Sequence, residues 1–225
     1  LIQKSTAELL EQELGWKSVY AFDNEVLGAD ASTSSATGIS LGRKSQHEVV
    51  LTRHLRMALK HLNPWMTDKQ LTEAIERMTS YMSSQTLMQI NEEKYQYLRD
   101  GVPVTRLKPN GETEQVRARV IDFVNVDNNE FIAVRELWIK GPIHKRRADV
   151  VCFVNGLPLI FIELKNHDQD IQNAYTDNYR DYLDTIPHLF HHNAMIMLSN
   201  GMESRVGTVG SKWEFFHEWK RLTEL

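Results

Sequence analysis

Apolar residues recur along this chain at two different spacings, and the change from one to the other falls at Gly101. Before it the spacing is mostly helical. Thr6 to Leu14 reads as a short amphipathic helix and Trp16 to Phe22 as an extended apolar piece. Ser45-Gln46-His47-Glu48 has the S-x-x-E form of a capping box, and Leu51, Leu55, Ala58 and Leu62 follow at helical intervals until Pro64. A second helix is predicted over Thr67 to Met82, with Leu71, Ala74, Ile75 and Met78 on one stripe, and a third over Gln85 to Arg99. Ala29 to Ser40 is almost entirely small and polar, which predicts a mobile loop.

Beyond Gly101 the pattern becomes that of strands. Val102 to Lys108, Gln115 to Val126 and Phe131 to Lys140 are β-rich and separated by Pro109-Asn110-Gly111 and Asp127-Asn128-Asn129, which predicts three strands joined by hairpins. Arg147 to Val154 and Leu159 to Lys165 form another strand pair around Asn155-Gly156. Helical spacing returns over Asp168 to Leu183, and Ala194 to Ser199 is a last strand before an aromatic end containing Trp213, Phe215, Phe216 and Trp219. The predicted fold is α/β: a central mixed sheet between helices, one of them carrying Glu48, with a helical insertion at about 64–100.

Composition narrows the class. With 41% hydrophobic and 25% charged residues over 225 positions, the chain reads as an ordinary globular one large enough for a real core. Cys152 is the single cysteine, so an internal disulfide and a multi-cysteine metal site are excluded, and a cytoplasmic setting is expected. The longest apolar run, Val150 to Leu164, is interrupted by Asn155-Gly156 and carries Glu163, so no membrane span is predicted. A net charge of −4, from 26 basic and 30 acidic residues, speaks against nucleic acid if taken alone. Local charge changes that picture, because KGPIHKRR holds Lys140, Lys145, Arg146 and Arg147 without an acid, and phosphate contacts need only such a patch.

The basic stretch leads into the most informative segment, RRADVVCFVNGLPLIFIELKN. Glu163 and Lys165 stand two apart on a strand and leave the same face, with Asp149 fourteen residues before Glu163 on the partner strand. Two charges on a strand face that begins apolar are expensive without partners. An acid pair with a lysine suits metal-assisted phosphodiester hydrolysis, in which carboxylates hold a hard cation and an ammonium orients water. Strand parity constrains this reading: a two-residue Asn155-Gly156 hairpin puts Asp149 opposite Ile162, so bringing Asp149 to Glu163 requires a three-residue loop or a bulge.

These residues resemble the PD-(D/E)xK nucleases, with Asp149 as the first acid and Glu163-Leu164-Lys165 as E-x-K. The longer run NGLPLIFIELKN, the basic stretch before it and the later SNG…RVG segment resemble the N-terminal nuclease domain of the restriction (R) subunit of type I restriction–modification enzymes. That resemblance implies a restriction-endonuclease-like sheet over 45–210, preceded by an extension over 1–44 and followed by an aromatic junction, 211–225, toward a motor domain. It implies Mg²⁺ held by Asp149, Glu163 and the Leu164 carbonyl, Lys165 as the catalytic lysine, and Glu48 as a helix-borne acid. Double-stranded DNA would be the substrate, modification and specificity subunits the partners, and ATP would act only through the rest of the subunit. The family's Q-x-x-x-Y motif is matched by Asn178…Tyr182, with Asn where Gln is expected. We group Asn178 with Lys140, Lys145, Arg146 and Arg147 as expected DNA contacts and Tyr182 with the catalytic set.

Other readings of the same residues stay open on the sequence. Asp149, Glu163 and Lys165 could be an interior salt-bridged cluster, Glu48 a plain helix cap for Ser45, and Tyr182 a core aromatic on the stripe of Ile171, Ala174, Tyr175 and Asn178. The whole domain could be a DNA-binding or subunit-docking module that keeps the nuclease fold without catalysis. His188, His191 and His192 have metal-ligand spacing but lack a further evident ligand, and VGTVGSK reverses the Lys-Ser/Thr order of a phosphate loop.

Overall fold

A computed structural model describes residues 2–28, 41–108 and 110–220. The mobile loop expected over Ala29–Ser40 lies outside the described residues. The centre is a seven-stranded mixed sheet in the order β1-β4-β5-β6-β7-β8-β9. Its strands are β1 (Lys17–Tyr20), β4 (Phe131–Lys140), β5 (Lys145–Val154), β6 (Leu157–Leu164), β7 (Met195–Ser199), β8 (Ser204–Gly207) and β9 (His217–Glu218). β4, β5 and β6 run antiparallel as a meander, β6 pairs parallel with β7, and β1 joins the far side parallel to β4. The N-terminal segment is thus continuous with the sheet, and its helix α1 (Ile2–Leu14) packs Leu10 against Val150, Cys152 and Ile162.

The expected row of three hairpin strands divides differently. β2 (Val102–Leu107) and β3 (Thr113–Ala118) pair only with each other, and 119–130 passes through an irregular loop instead of a turn into β4. Asp122 organises that loop by accepting from the Val124 and Asn125 backbone and the Asn128 side chain. These interactions hold its carboxyl down at about 2, the Asn128 hydrogen bond foremost. β2 and β3 instead cover the helices α2 (Thr52–Leu62), α3 (Asp68–Thr79) and α4 (Leu87–Asp100), sharing a core of Leu55, Leu59, Leu71, Met78 and Val104. Capping boxes do open helices here, but at Thr67/Gln70 and Thr86/Gln89.

Ser45 opens no helix. α2 begins only at Thr52, because the Leu51 N–H donates to the Gly156 carbonyl (2.8 Å) and ties 49–51 along the β5–β6 turn. Buried Arg43 fixes the segment from its other side, pairing with Glu25 and donating to the Glu48 and Trp138 carbonyls. The Glu48 carboxylate accepts from the Lys44 N–H (2.9 Å), so it neither caps a helix at Ser45 nor rides on one.

Candidate active site

The site is made by two irregularities in the central meander. At the β5–β6 turn Asn155 (φ 52°) and Gly156 (φ 80°) both adopt left-handed conformations, as a two-residue hairpin of the I′ kind requires. The register is then shifted by a bulge: Phe153 pairs with Pro158, but Cys152 pairs with Ile160, leaving Leu159 as the extra residue. Beyond it Val150 faces Ile162, and the same register sets Asp149 opposite Glu163. The bulge is what turns the two acids toward each other.

A second irregularity lies on the other side of Asp149. Arg135 pairs with Val150 and Leu137 with Ala148, so Glu136 stands across from Asp149, with φ at 57°. Ile132 and Val134 face the main core, as do Leu137 and Ile139, so the alternation slips by one residue at Glu136. β5 slips in step, with Ala148, Val151 and Phe153 all in that core. Three carboxylates on three neighbouring strands are therefore aligned where the pleat is broken.

Glu163 is 2% exposed, and its Oε2 is buried without a hydrogen-bond partner. Burial pushes its carboxyl well above the usual range, and the neighbouring Asp149 adds to that while Lys165 opposes it. Asp149 is raised too, chiefly by burial, against hydrogen bonds from the Leu164 N–H (Oδ2, 2.9 Å) and the Gln3 amide (Oδ1, 2.5 Å). Lys165 follows β6 directly, its N–H on the Ser199 carbonyl and its ammonium on Asn178 Oδ1 at 2.5 Å.

Asn178 lies in a π-helical turn, Ala174–Tyr179, that leads into α5 (Arg180–Thr185), with the Arg180 N–H bonded to the Tyr175 carbonyl. The wide turn breaks the simple stripe expected there: Tyr179 joins Ala174 and Tyr182 in the core, while Asn178 is left at the side reaching Lys165. Tyr182 is buried, donates from its hydroxyl to the Arg147 carbonyl (2.7 Å), and packs edge-on against Phe161. Its hydroxyl is pushed up by burial and by Glu163.

Asp149, Glu163, Leu164, Lys165, Asn178 and Tyr182 are thus brought together, and Glu48 is not. Glu48 lines a cavity of about 580 Å³ with His47, Tyr81, His188, His191 and His192, which none of Asp149, Glu163 or Lys165 reaches. Those histidines hold no metal cage: among the described residues no three His, Cys, Asp or Glu side chains are arranged to bind an ion. His192 meets the Met78 carbonyl, and burial depresses it to about 3, with His188 and His191 at about 4.

In the basic stretch, Arg146 forms a two-point pair with Asp181 of α5, and Arg147 forms an ion pair with Glu136, Nε to Oε2 2.6 Å. Lys145 sits over the Trp138 ring, 4.1 Å from its centre. Lys140 faces Lys145 across β4 and β5. Two participants escaped the sequence reading, Glu136 and Gln3. The slip from Val134 to Leu137, with two charges between, was a readable signal for Glu136. For Gln3 there was none, since its role depends on where α1 lands.

A mixed sheet flanked by helices, with an acid pair and an adjacent lysine at the end of its central hairpin, defines a nuclease-like α/β domain. The chain belongs to the family described as type I restriction enzyme R protein N terminus, whose model matches residues 1–215. It is 31% identical over 227 residues to the type I restriction enzyme HindI endonuclease subunit of Haemophilus influenzae, covering 99% of this chain and 20% of that protein. To the type I restriction enzyme SauMSSORF170P endonuclease subunit of Staphylococcus aureus it is 28% identical over 143 residues, 64% of this chain and 14% of that one. The chain therefore spans a fifth or less of the length of these relatives.

Proposed function

We propose that this domain hydrolyses phosphodiester bonds of double-stranded DNA as the Mg²⁺-dependent nuclease part of a type I restriction R subunit. The observation that carries the reading is the Glu163 carboxylate, almost wholly buried with one oxygen unpartnered, across from Asp149 and two residues from Lys165. A buried, uncompensated carboxylate is costly, and a hard divalent cation is the natural partner for it. Asp149, Glu163 and the Leu164 carbonyl would hold the cation, which when bound supplies Lewis-acid stabilisation of the charge developing on the phosphate.

The remaining steps belong to side chains of this chain. Asn178 fixes one of the three donors of the Lys165 ammonium, leaving the others to orient the attacking water and offset phosphate charge. Tyr182 anchors the strand at Arg147, two residues from Asp149. The shorter amide at 178 was the one feature favouring a non-catalytic module, and it still reaches the lysine. Modification and specificity subunits and an ATP-driven motor would be contributed by the rest of the assembly.

Plasmid cleavage by the assembled enzyme tests the reading: Glu163→Ala and Lys165→Ala should each abolish cutting, and undiminished cutting by either variant would sink it. Calorimetric titration of this chain with Mn²⁺ should show binding that disappears in Asp149→Ala.

A further inference from the structure

Arg147 is held in an unusual way for a surface arginine. Its side chain is 41% exposed, yet its Nε is engaged 2.6 Å from Glu136, which is only 7% exposed. The guanidinium lies 4.9 Å from the centre of the Phe22 ring and 5.7 Å from that of Trp138, two rings that stack on each other. Tyr182 pins the carbonyl of the same residue. A long, flexible cation is thereby held at its backbone, over the face of its guanidinium and at its inner edge, while the terminal nitrogens form the opposite edge of the planar group.

The acid that does this occupies a left-handed conformation rare for residues other than glycine, asparagine and aspartate, in the middle of a central strand. That conformation accompanies the pleat slip that sets Glu136 beside Asp149. Arg146, the preceding residue, has both its Nε and a terminal nitrogen committed to Asp181, and Lys165 gives one of its three donors to Asn178 and keeps the others for the attacking water. Arg147 is the cation of this group whose inner edge alone is tied down.

We infer that Glu136 is a positioning residue of the cleavage site, holding the Arg147 guanidinium beside Asp149 so that its outer edge meets a phosphate of the bound DNA strand. The inference rests on the proposed nuclease function and deepens it. Glu136 acts through Arg147 and is not a ligand of the cation: its Oε2 is taken by Arg147, and among the described residues no three acids are arranged to share an ion.

The test uses the assembled enzyme, comparing Glu136→Ala, Glu136→Gln, Arg147→Ala and the Glu136→Ala/Arg147→Ala pair. Loss of orientation should slow cleavage at saturating DNA by about tenfold to a hundredfold in Glu136→Ala. DNA affinity should not weaken, because an acid has been removed from a phosphate-binding surface. Glu136→Gln should recover most of the rate, since the isosteric amide keeps an oxygen beside Nε, and the double variant should cut no more slowly than Arg147→Ala alone. Equal impairment of Glu136→Gln and Glu136→Ala would overturn the inference in favour of a charge or ligand role, as would additive losses in the double variant. Wild-type cutting by Glu136→Ala with Glu163→Ala inactive would overturn this inference and spare the nuclease reading. Cutting by Glu163→Ala would overturn both. Should Glu136→Ala fail to assemble, Glu136→Met keeps the volume and must show the same loss and the same masking by Arg147→Ala.

Discussion

Replacing Glu163 by Gln should stabilise the cation-free protein and destabilise it, relative to wild type, once a divalent cation is added. In the free protein Glu163 carries a buried oxygen without a partner beside a second carboxylate. An unsatisfied buried polar group costs about 1–3 kcal/mol. At a pH where both carboxyls are ionised, the neutral isostere removes the like-charge repulsion from Asp149 and offers an amide N–H to pair with it, so a gain of that order is expected. For a domain of this size about 1 kcal/mol moves Tm by roughly 2–4 °C, so Glu163→Gln should melt several degrees above wild type in EDTA. At a cation concentration near 1,000 Kd, wild type should gain about 4.1 kcal/mol by mass action, and the variant, lacking the ligand charge, almost nothing. The order of the two melting curves should then reverse between EDTA and Mn²⁺, which differential scanning calorimetry reads directly. A variant that melts below wild type by the same margin in both buffers would refute the reasoning, because Glu163 would then be a structural acid whose partner is internal.

Three further outcomes follow from the same geometry. Asn178→Ala should slow cleavage by about tenfold or more by freeing Lys165, with Asn178→Gln restoring the rate; equal rates in single-turnover cleavage would remove Asn178 from the site. Cation affinity should rise with pH: Asp149 and Glu163 are both raised above their ordinary 3.8 and 4.5, so at acid pH a cation must displace protons. Their folded forms retain protons that unfolded carboxyls lose, so these two groups lower the stability of the cation-free protein as pH climbs above about 4. Calorimetry in buffers of different ionisation enthalpy should detect proton release that vanishes in Glu163→Gln. Gly156→Ala should cost more than about 1 kcal/mol in urea unfolding, because φ is 80° and a Cβ would stand 2.5 Å from the Leu51 carbonyl; unchanged stability would show that the turn can move.

Much of the site was legible because its chemistry is local. Asn155-Gly156 between two apolar strands specifies a hairpin, and counting residues from it demands a three-residue loop or a bulge before Asp149 and Glu163 can meet; the fold uses a bulge, at Leu159. Glu48 shows where local rules stop. Ser45 to Glu48 satisfies the spacing of a capping box, but the Leu51 N–H is claimed by a turn more than a hundred residues away, and the helix starts at Thr52 instead of directly after Ser45. The basic run reads as four free charges, and the fold gives two of them acidic partners, Glu136 and Asp181, from other elements. Sequence spacing can show that charges cluster but not which acids will face them.

Glu136 and Asp149 also explain how a sheet centre can carry ionisable groups at all. A regular strand would turn every second residue of β4 and β5 into an apolar layer, and an acid there would have neither water nor partner. Slipping both strands by one residue at the same level keeps their mutual register, so Arg135–Val150 and Leu137–Ala148 still pair on either side. Apolar residues return to the core on both flanks, Val134 and Leu137 on one strand and Ala148 and Val151 on the other. Only the residues at the break are released from alternation, and these are the two acids. The strain of a left-handed glutamate is thus coupled to the placement of Asp149, which predicts that Glu136→Gly, relaxing the backbone while deleting the carboxylate, will preserve Mn²⁺ binding at Asp149 and Glu163 yet lose the Arg147-dependent part of the cleavage rate. Loss of Mn²⁺ binding in that variant would show instead that the carboxylate itself, and not the backbone break, sets the metal-binding geometry.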